Sequence, residues 1–189
     1  MTERKAVVAD AEFQTREAEQ NRYIEGYFSV FGSKYWLWDD AYETVEPGAF
    51  DLDSDRDVRA LADHNTAMVL GRTTAGTLDL KVDDRGLWGS ILINEADQDA
   101  VNLYERVKRG DITQCSFGFS ILDQDIEQAA GMPSVFHIRK VKLYEVSVVA
   151  FPAYEDTAVT ARKAELAEIE KRKAEAWRNG MLKKLKGEA

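Results

Sequence analysis

Residues Asp111–Ser120 read D-I-T-Q-C-S-F-G-F-S. Apolar or aromatic residues alternate with small or polar ones, the period of a half-buried strand. Ser116 lies in the middle of this strand beside Gly118, a residue that weakens strands and is kept where something approaches the backbone closely. A serine on a rigid strand is well placed to act as a nucleophile if an imidazole elsewhere takes its proton. The chain has 2 histidines. One, His64, lies in R-A-L-A-D-H-N, and an acid-bearing strand, K-L-Y-E-V-S-V-V-A-F-P-A, follows the serine. Three separated segments can therefore converge on one site.

Working outward, Asp97 to Arg109 reads as a helix that feeds the serine strand. Asp97 can cap its first turn, Val101, Tyr104 and Val107 fall near one face, and Gly110 ends it. Beyond the serine strand, Asp123 to Pro133 is polar and reads as a loop, and Val135 to Val149 resumes strand character. Upstream, N-R-Y-I-E-G-Y-F-S-V-F-G from Asn21 is a strand, with Gly26 permitting a bend or bulge. Ser33 to Glu46 is aromatic and acidic and reads as a loop in which Trp36 and Trp38 line a groove or cap the core. After Pro47-Gly48 comes a turn of helix near Ala49–Leu52. Val58 to Ala62 then forms a strand that delivers His64, and Val69–Arg72, Thr77–Val82 and Leu87–Ile93 continue an antiparallel meander. Residues 1–20 read as a mobile or loosely docked arm. Glu155 to Gly187, rich in Ala, Glu, Lys and Arg, reads as a helix with a thin apolar stripe.

The 189 residues suit one compact unit plus an appendage. With 44% hydrophobic residues the chain has enough apolar surface to fold. A net charge of -9 repels phosphate backbones, so nucleic acid is not an expected partner. No apolar run approaches the ~20 residues that cross a bilayer, so no membrane partner or export signal is expected. Cys115, the 1 cysteine, allows neither an internal disulfide nor a cysteine-based metal site. The chain lacks G-x-S-x-G, a phosphate-binding P-loop, H-E-x-x-H and an EF-hand loop, and no metal or cofactor is expected. Strands, helix, strands and a terminal helix make an α+β fold centred on a mostly antiparallel sheet, with closure into a barrel left open.

The succession E-G-Y-F-S-V-F-G, V-E-P-G-A-F, A-D-H-N with L-G-R, V-K-R-G-D-I-T-Q-C-S-F-G-F and L-Y-E-V-S-V-V-A-F-P-A-Y resembles the prohead maturation proteases of tailed bacteriophages. That family is related to the herpesvirus assemblins. The resemblance spans about Arg22 to Thr157. It implies a serine endopeptidase with a β-barrel core flanked by helices, divided here into an arm (1–20), a protease domain (21–157) and a C-terminal helical extension (158–189). It also implies a location inside the procapsid, in the host bacterial cytoplasm. The implied substrates are scaffold protein or the scaffolding domain of the major capsid protein, and the enzyme itself, with self-association also open.

Carried over by position, the family histidine falls on His64, the serine on Ser116 and an orienting glutamate on Glu145. Histidine, with an unperturbed pKa of ~6.5, can accept the serine proton and return it to a leaving amine. Assemblins use a second histidine instead of the acid, which makes His137 a rival third member. Asp63 is a weaker candidate, because strand neighbours point to opposite faces, and reads better as a solvated surface acid. By the same alternation Cys115 faces away from Ser116 and reads as a buried thiol. Gly71-Arg72, Arg139 and the backbone after Ser116 are open as oxyanion donors. A catalytically inactive procapsid module and an esterase are the competing readings.

Overall fold

In chain order the strands are β1 (Arg4–Val8), β2 (Gln14–Ala18), β3 (Asn21–Val30), β4 (Tyr35–Trp38), β5 (Ala41–Val45), β6 (Arg59–Ala62), β7 (Asn65–Arg72), β8 (Leu78–Val82), β9 (Gly86–Leu92), β10 (Gln114–Glu127) and β11 (Ser134–Val149). The α-helices are α1 (Gln98–Arg109) and α2 (Asp156–Leu185). This is a computed structural model that describes residues 4–8, 13–18, 21–151 and 156–185. Residues Met1–Tyr154 form one compact unit and Glu155–Ala189 a second, which contains α2.

The long antiparallel hairpin β10–β11 is the spine of the first unit. It pairs from Gln114 with Val149 at one end to Glu127 with Val135 at the other. Alternation along β10 sends Cys115, Phe117 and Phe119 into the core. Phe117 stacks on Phe119 with ring centroids 4.8 Å apart and meets Phe50 edge-on at 5.6 Å. Burying each such side chain contributes about 1.5–3 kcal/mol. The other face of β10 carries Ser116, Gly118 and Ser120.

On β11 the core residues are Ile138, Val141, Leu143, Val146 and Val148. A strict period of two would carry Leu143 to Glu145 on the same face. The register instead shifts opposite Gly118 and Phe119, where Gly118 pairs with Glu145 but Phe119 pairs with Leu143. One extra residue in β11, Tyr144, therefore restarts the alternation. Glu145 and Ser147 leave the core face and share a face with Ser116 and Gly118.

The opposite edge of β11 is occupied piecewise. β5 pairs in parallel with its first part, Ser134–Ile138, and β6 in parallel with its last, Glu145–Val148. Between them the connecting chain satisfies the backbone: Val141 N–H donates to Ala49 carbonyl at 3.0 Å and Leu143 N–H to the Asp55 carboxylate at 2.9 Å. Buried backbone donors need such partners, and these two occupy the gap left between two short strands.

The seven-stranded sheet runs β1-β10-β11-β5-β4, with β6 and β7 joined to the end of β11; the second sheet runs β2-β3-β9-β8. Ile24, Phe28, Leu87 and Ile91 of the second sheet belong to the same core cluster as Phe117 and Val146. The expected α+β class holds, but the expected barrel does not close. Among the described residues β2 and β8 remain edge strands of the smaller sheet, β7 pairs only with β6, and the sheets are joined through side chains instead of a continuous ladder. The pairing is mostly antiparallel, as expected, with β5 and β6 running parallel to β11.

Three further differences concern single segments. Ser33–Glu46, expected as a loop, contains β4 and β5, because Tyr35, Ala41 and Val45 find core positions and the Asp39-Asp40 pair supplies the turn. β10 continues to Glu127 instead of ending near Asp123, with Asp125 paired to Arg139 across the hairpin. Residues 4–8 and 14–18, read as an arm, supply strands that pair with β10 and β3. The helix α1 is capped as expected: Asp97 accepts from the N–H groups of Asp99 and Ala100, and Gly110, at φ 84°, donates back to Arg106 and Val107 carbonyls.

Burial pushes the Asp55 carboxyl above its ordinary range, with the Leu143 N–H pulling less strongly the other way. A carboxyl raised in the folded state gives stability that is present at low pH and is lost as pH rises through the folded value. Asp55→Asn keeps an acceptor for Leu143 without the charge. It is expected to gain stability relative to the parent between about pH 4 and pH 7, read from urea midpoints at both pH values. An unchanged difference would remove Asp55 as the cause.

Candidate active site

The β10–β11 register places Ser116 directly opposite Ser147 and Gly118 directly opposite Glu145. Directly opposed residues share a face, so Ser116, Ser147 and Glu145 lie together on the side of the sheet away from the aromatic core. Ser116 and Ser147 are both fully buried, at 0% exposure. Gly118 has a specific reason to lack a side chain: a Cβ there would stand 2.4 Å from Glu145 Oε1. The glycine opens the space that the carboxylate fills.

His64 reaches the same place from the β6–β7 hairpin. Ala62 pairs with Asn65, leaving Asp63 and His64 as a two-residue turn. Both have positive φ, 48° and 57°, as a type I′ hairpin turn demands. For residues bearing a Cβ this costs roughly 1–2 kcal/mol each, and the turn is held by the end of β11. Asp63 N–H donates to Val148 carbonyl at 3.0 Å, and Ala150 N–H donates to Asp63 Oδ1 at 2.9 Å. Asp63 is thus exposed, as expected, but is tied to the backbone as a turn anchor.

With the turn so fixed, His64 Nδ1 meets Glu145 Oε1 at 2.6 Å, both side chains being almost fully buried at 5% and 6% exposure. A carboxylate accepts, so Nδ1 carries the donated proton and Nε2 presents its lone pair. Nε2 is buried and has no hydrogen-bond partner, Ser116 included, among the described residues. The second carboxylate oxygen, Oε2, accepts from Ser147 Oγ at 2.6 Å, and Ser147 Oγ in turn accepts from His64 N–H at 3.3 Å.

Of the residues singled out in the sequence, His64 and Glu145 are joined by a hydrogen bond, and Ser116 lies on the same strand pair as Glu145. His137 is elsewhere on β11. Its Nδ1 lies 2.8 Å from Glu46 Oε1 and 3.2 Å from Thr44 Oγ1, and its Nε2 lies 3.4 Å from Glu127 Oε2, so it ties β5 to the far end of the hairpin. Cys115 points into the core, where its Sγ donates to Tyr27 carbonyl at 3.1 Å and burial raises the thiol well above its usual range. Arg72 forms a two-pronged contact with Asp57, at 2.6 and 2.8 Å, and Arg139 pairs with Asp125. Sequence reasoning missed Ser147. The available signal was its position two residues after Glu145 in E-V-S, which puts both on one face of a strand.

If Gly118 exists to admit the Glu145 carboxylate, Gly118→Ala is expected to destabilise by about 1–3 kcal/mol through overpacking. The cost should shrink when Glu145→Ala is introduced alongside it. Denaturant unfolding of the four proteins in this cycle checks the claim, and an equal cost in both backgrounds would sink it.

Comparison with known proteins covers most of the chain. The family model for the Caudovirus prohead serine protease matches residues 9–172, running past the Thr157 at which the resemblance in the sequence was drawn to end. The prohead protease of Escherichia phage T5 is 32% identical over 87 residues, which make up 46% of this chain and 39% of that protein. The match therefore spans about two fifths of that relative's length. Among solved structures, the bacteriophage T4 capsid assembly protease aligns over 77% of this chain and 98% of its own, with a TM-score of 0.43 and 11% identity. The family match takes in β2 to β11 and the first part of α2, and the chain belongs to the caudovirus prohead serine protease family.

Proposed function

We propose that this protein is a serine endopeptidase of procapsid maturation in which Ser116 is the nucleophile, His64 the general base and acid, and Glu145 the residue that orients His64. The observation that carries the reading is the 2.6 Å contact between His64 Nδ1 and Glu145 Oε1. It commits one ring nitrogen to a buried carboxylate and leaves the other, also buried, without a partner among the described residues and available as a proton acceptor on the nucleophile's face of the sheet. Ser116 Oγ attacks the scissile carbonyl carbon while its proton passes to His64 Nε2. The C–N bond then breaks as Nε2 returns that proton to the departing amine. Water repeats the sequence on the acyl-enzyme, and Glu145 stabilises the imidazolium in both halves.

The substrates are scaffold protein or the scaffolding domain of the major capsid protein, and the enzyme itself. The reaction takes place inside the procapsid in the host bacterial cytoplasm. The net charge of -9 argues against nucleic acid as a partner, and no metal or cofactor enters the steps above. The extension 158–189 serves as a docking element for scaffold or for another copy. Within α2, Trp177 and Met181 are 69% and 43% exposed, a small apolar surface suited to a groove or a second helix.

The test is cleavage of co-expressed scaffold, with labelled casein as a second substrate. Ser116→Ala and His64→Ala are expected to abolish cleavage with the fold retained, and Glu145→Gln to lower turnover by about 10⁴. His137→Gln should leave turnover near the parent's and affect mainly stability. Severe loss in the His137 variant with mild loss in the Glu145 variant would reverse the assignment. Turnover of esters but not peptides would make the protein an esterase, and no cleavage by the parent would make it a structural module.

The extension is tested separately by truncation near Thr160. The truncated enzyme is expected to cleave a short peptide in solution yet fail to enter assembling particles. A truncated chain that does not fold would place the helix in the core.

A further inference from the structure

We propose that Ser147 is a positioning residue for the reaction, acting on His64 and Glu145 together; the proposal rests on the assignment of Ser116, His64 and Glu145 given above. The hydroxyl has one proton to give and lone pairs to receive. At 2.6 Å from Glu145 Oε2, a carboxylate oxygen that can only accept, Ser147 must be the donor. Its lone pair is then free to accept the His64 backbone N–H at 3.3 Å. With its proton donated, one lone pair accepting and 0% exposure, the side chain is held in a single orientation.

The consequence lies in the circuit these bonds close. One residue, His64, is tethered to one carboxylate by two routes: its ring directly through Nδ1 to Oε1, and its backbone through Ser147 to Oε2. A single hydrogen bond would leave the imidazole free to swing about Glu145 Oε1, and the carboxylate free to rotate about its own axis. Two routes ending on different oxygens fix the ring relative to its main chain, and with it the direction of the Nε2 lone pair. The same circuit clamps the left-handed turn, because the N–H it captures belongs to the residue at φ 57°. Ser147 also stands directly opposite Ser116 on the paired strand, so the circuit and the nucleophile share one rigid frame. Ser147 has no place in the bond-making steps, since its proton is committed to Glu145.

The test uses the full chain and a fluorophosphonate probe, which needs no knowledge of the cleavage site. Serine Oγ attacks phosphorus, fluoride leaves, and the serine proton passes to His64. Ser147→Ala is expected to lower kinact by about 10- to 100-fold, the scale seen when an outer partner that supports a functional histidine indirectly is removed, with KI unchanged. In a Glu145→Gln background the same substitution should cost less than about 3-fold, because residues acting through one another are not additive. Folding of each variant is checked by thermal unfolding. If Ser147→Ala does not fold, Ser147→Cys, with a weaker donor of similar shape, takes its place in the same cycle. Labelling at the parent's rate, or an equal loss in both backgrounds, would overturn the proposal and leave Ser147 as packing alone. Labelling that survives Ser116→Ala, or is untouched by Glu145→Gln, would instead bring down the underlying assignment.

Discussion

The first unit depends on the register shift between Gly118 and Phe119, one of three in the β10–β11 ladder. Had β10 and β11 paired without interruption, Glu145 would have continued the face of Val141 and Leu143 and faced the aromatic core as an unpaired charge, at a cost of several kcal/mol. The extra residue at Tyr144 turns that outcome around. It hands the core position to Val146 and aims the carboxylate at the opposite face, where His64 and Ser147 receive it. Neighbouring features fit the same event. Gly118 yields the space the carboxylate needs, and Asp55 takes up the N–H of Leu143 beside the bulge. A bulge is usually described as a defect in a sheet; here it lets one strand supply both core and site.

The polar layer so created is buried and nearly complete in its hydrogen bonds. Leaving such a group without a partner costs about 1–3 kcal/mol, which is why Glu145 and Ser147 use every available contact with His64. The exception in this layer, among the described residues, is Nε2 of His64, at the one atom a proton-transfer step would require. A second departure from low-energy structure lies at Asp63 and His64, whose left-handed backbone is held by Val148 and Ala150. Both departures fall on the same residue or its neighbour, in keeping with the concentration of strain and unmet polarity at functional sites.

Much of this was legible in the chain itself. The alternation C-S-F-G-F declared two faces of β10, and Gly118 announced that something would come close. The caps of α1 were readable because capping is local: an aspartate before the first turn and a glycine after the last act on backbone within a few residues. What escaped was set by distant partners. β4 and β5 looked like a loop because aromatic and acidic residues mark loops as well as edge strands, and only Phe136, Ile138 and their neighbours on β11 decide between them. The bulge was visible as the three-residue step from Leu143 to Val146, but that step acquires meaning only once Phe119 and Gly118 are known to lie opposite. Barrel closure was expected from family resemblance, and it depends on edges that carry no local signature. Ser147 was hidden in an apolar strand, and although Glu145 lies only two residues away, the contact that gives their bond a purpose comes from a turn more than eighty residues earlier.

The parallel pairing of β6 with the end of β11 also bears on synthesis. The turn carrying His64 is made early in translation, but its anchors, Val148 and Ala150, and its carboxylate partner emerge only after the chain has passed through α1 and the whole of β10. Contacts of such wide sequence separation form slowly and late, because a long loop must close before any of them is rewarded. A nascent or partly folded chain therefore has a serine and a histidine but no frame to join them. The frame that joins them is completed as a step near the end of folding, once the last strand of the sheet has paired on both of its edges.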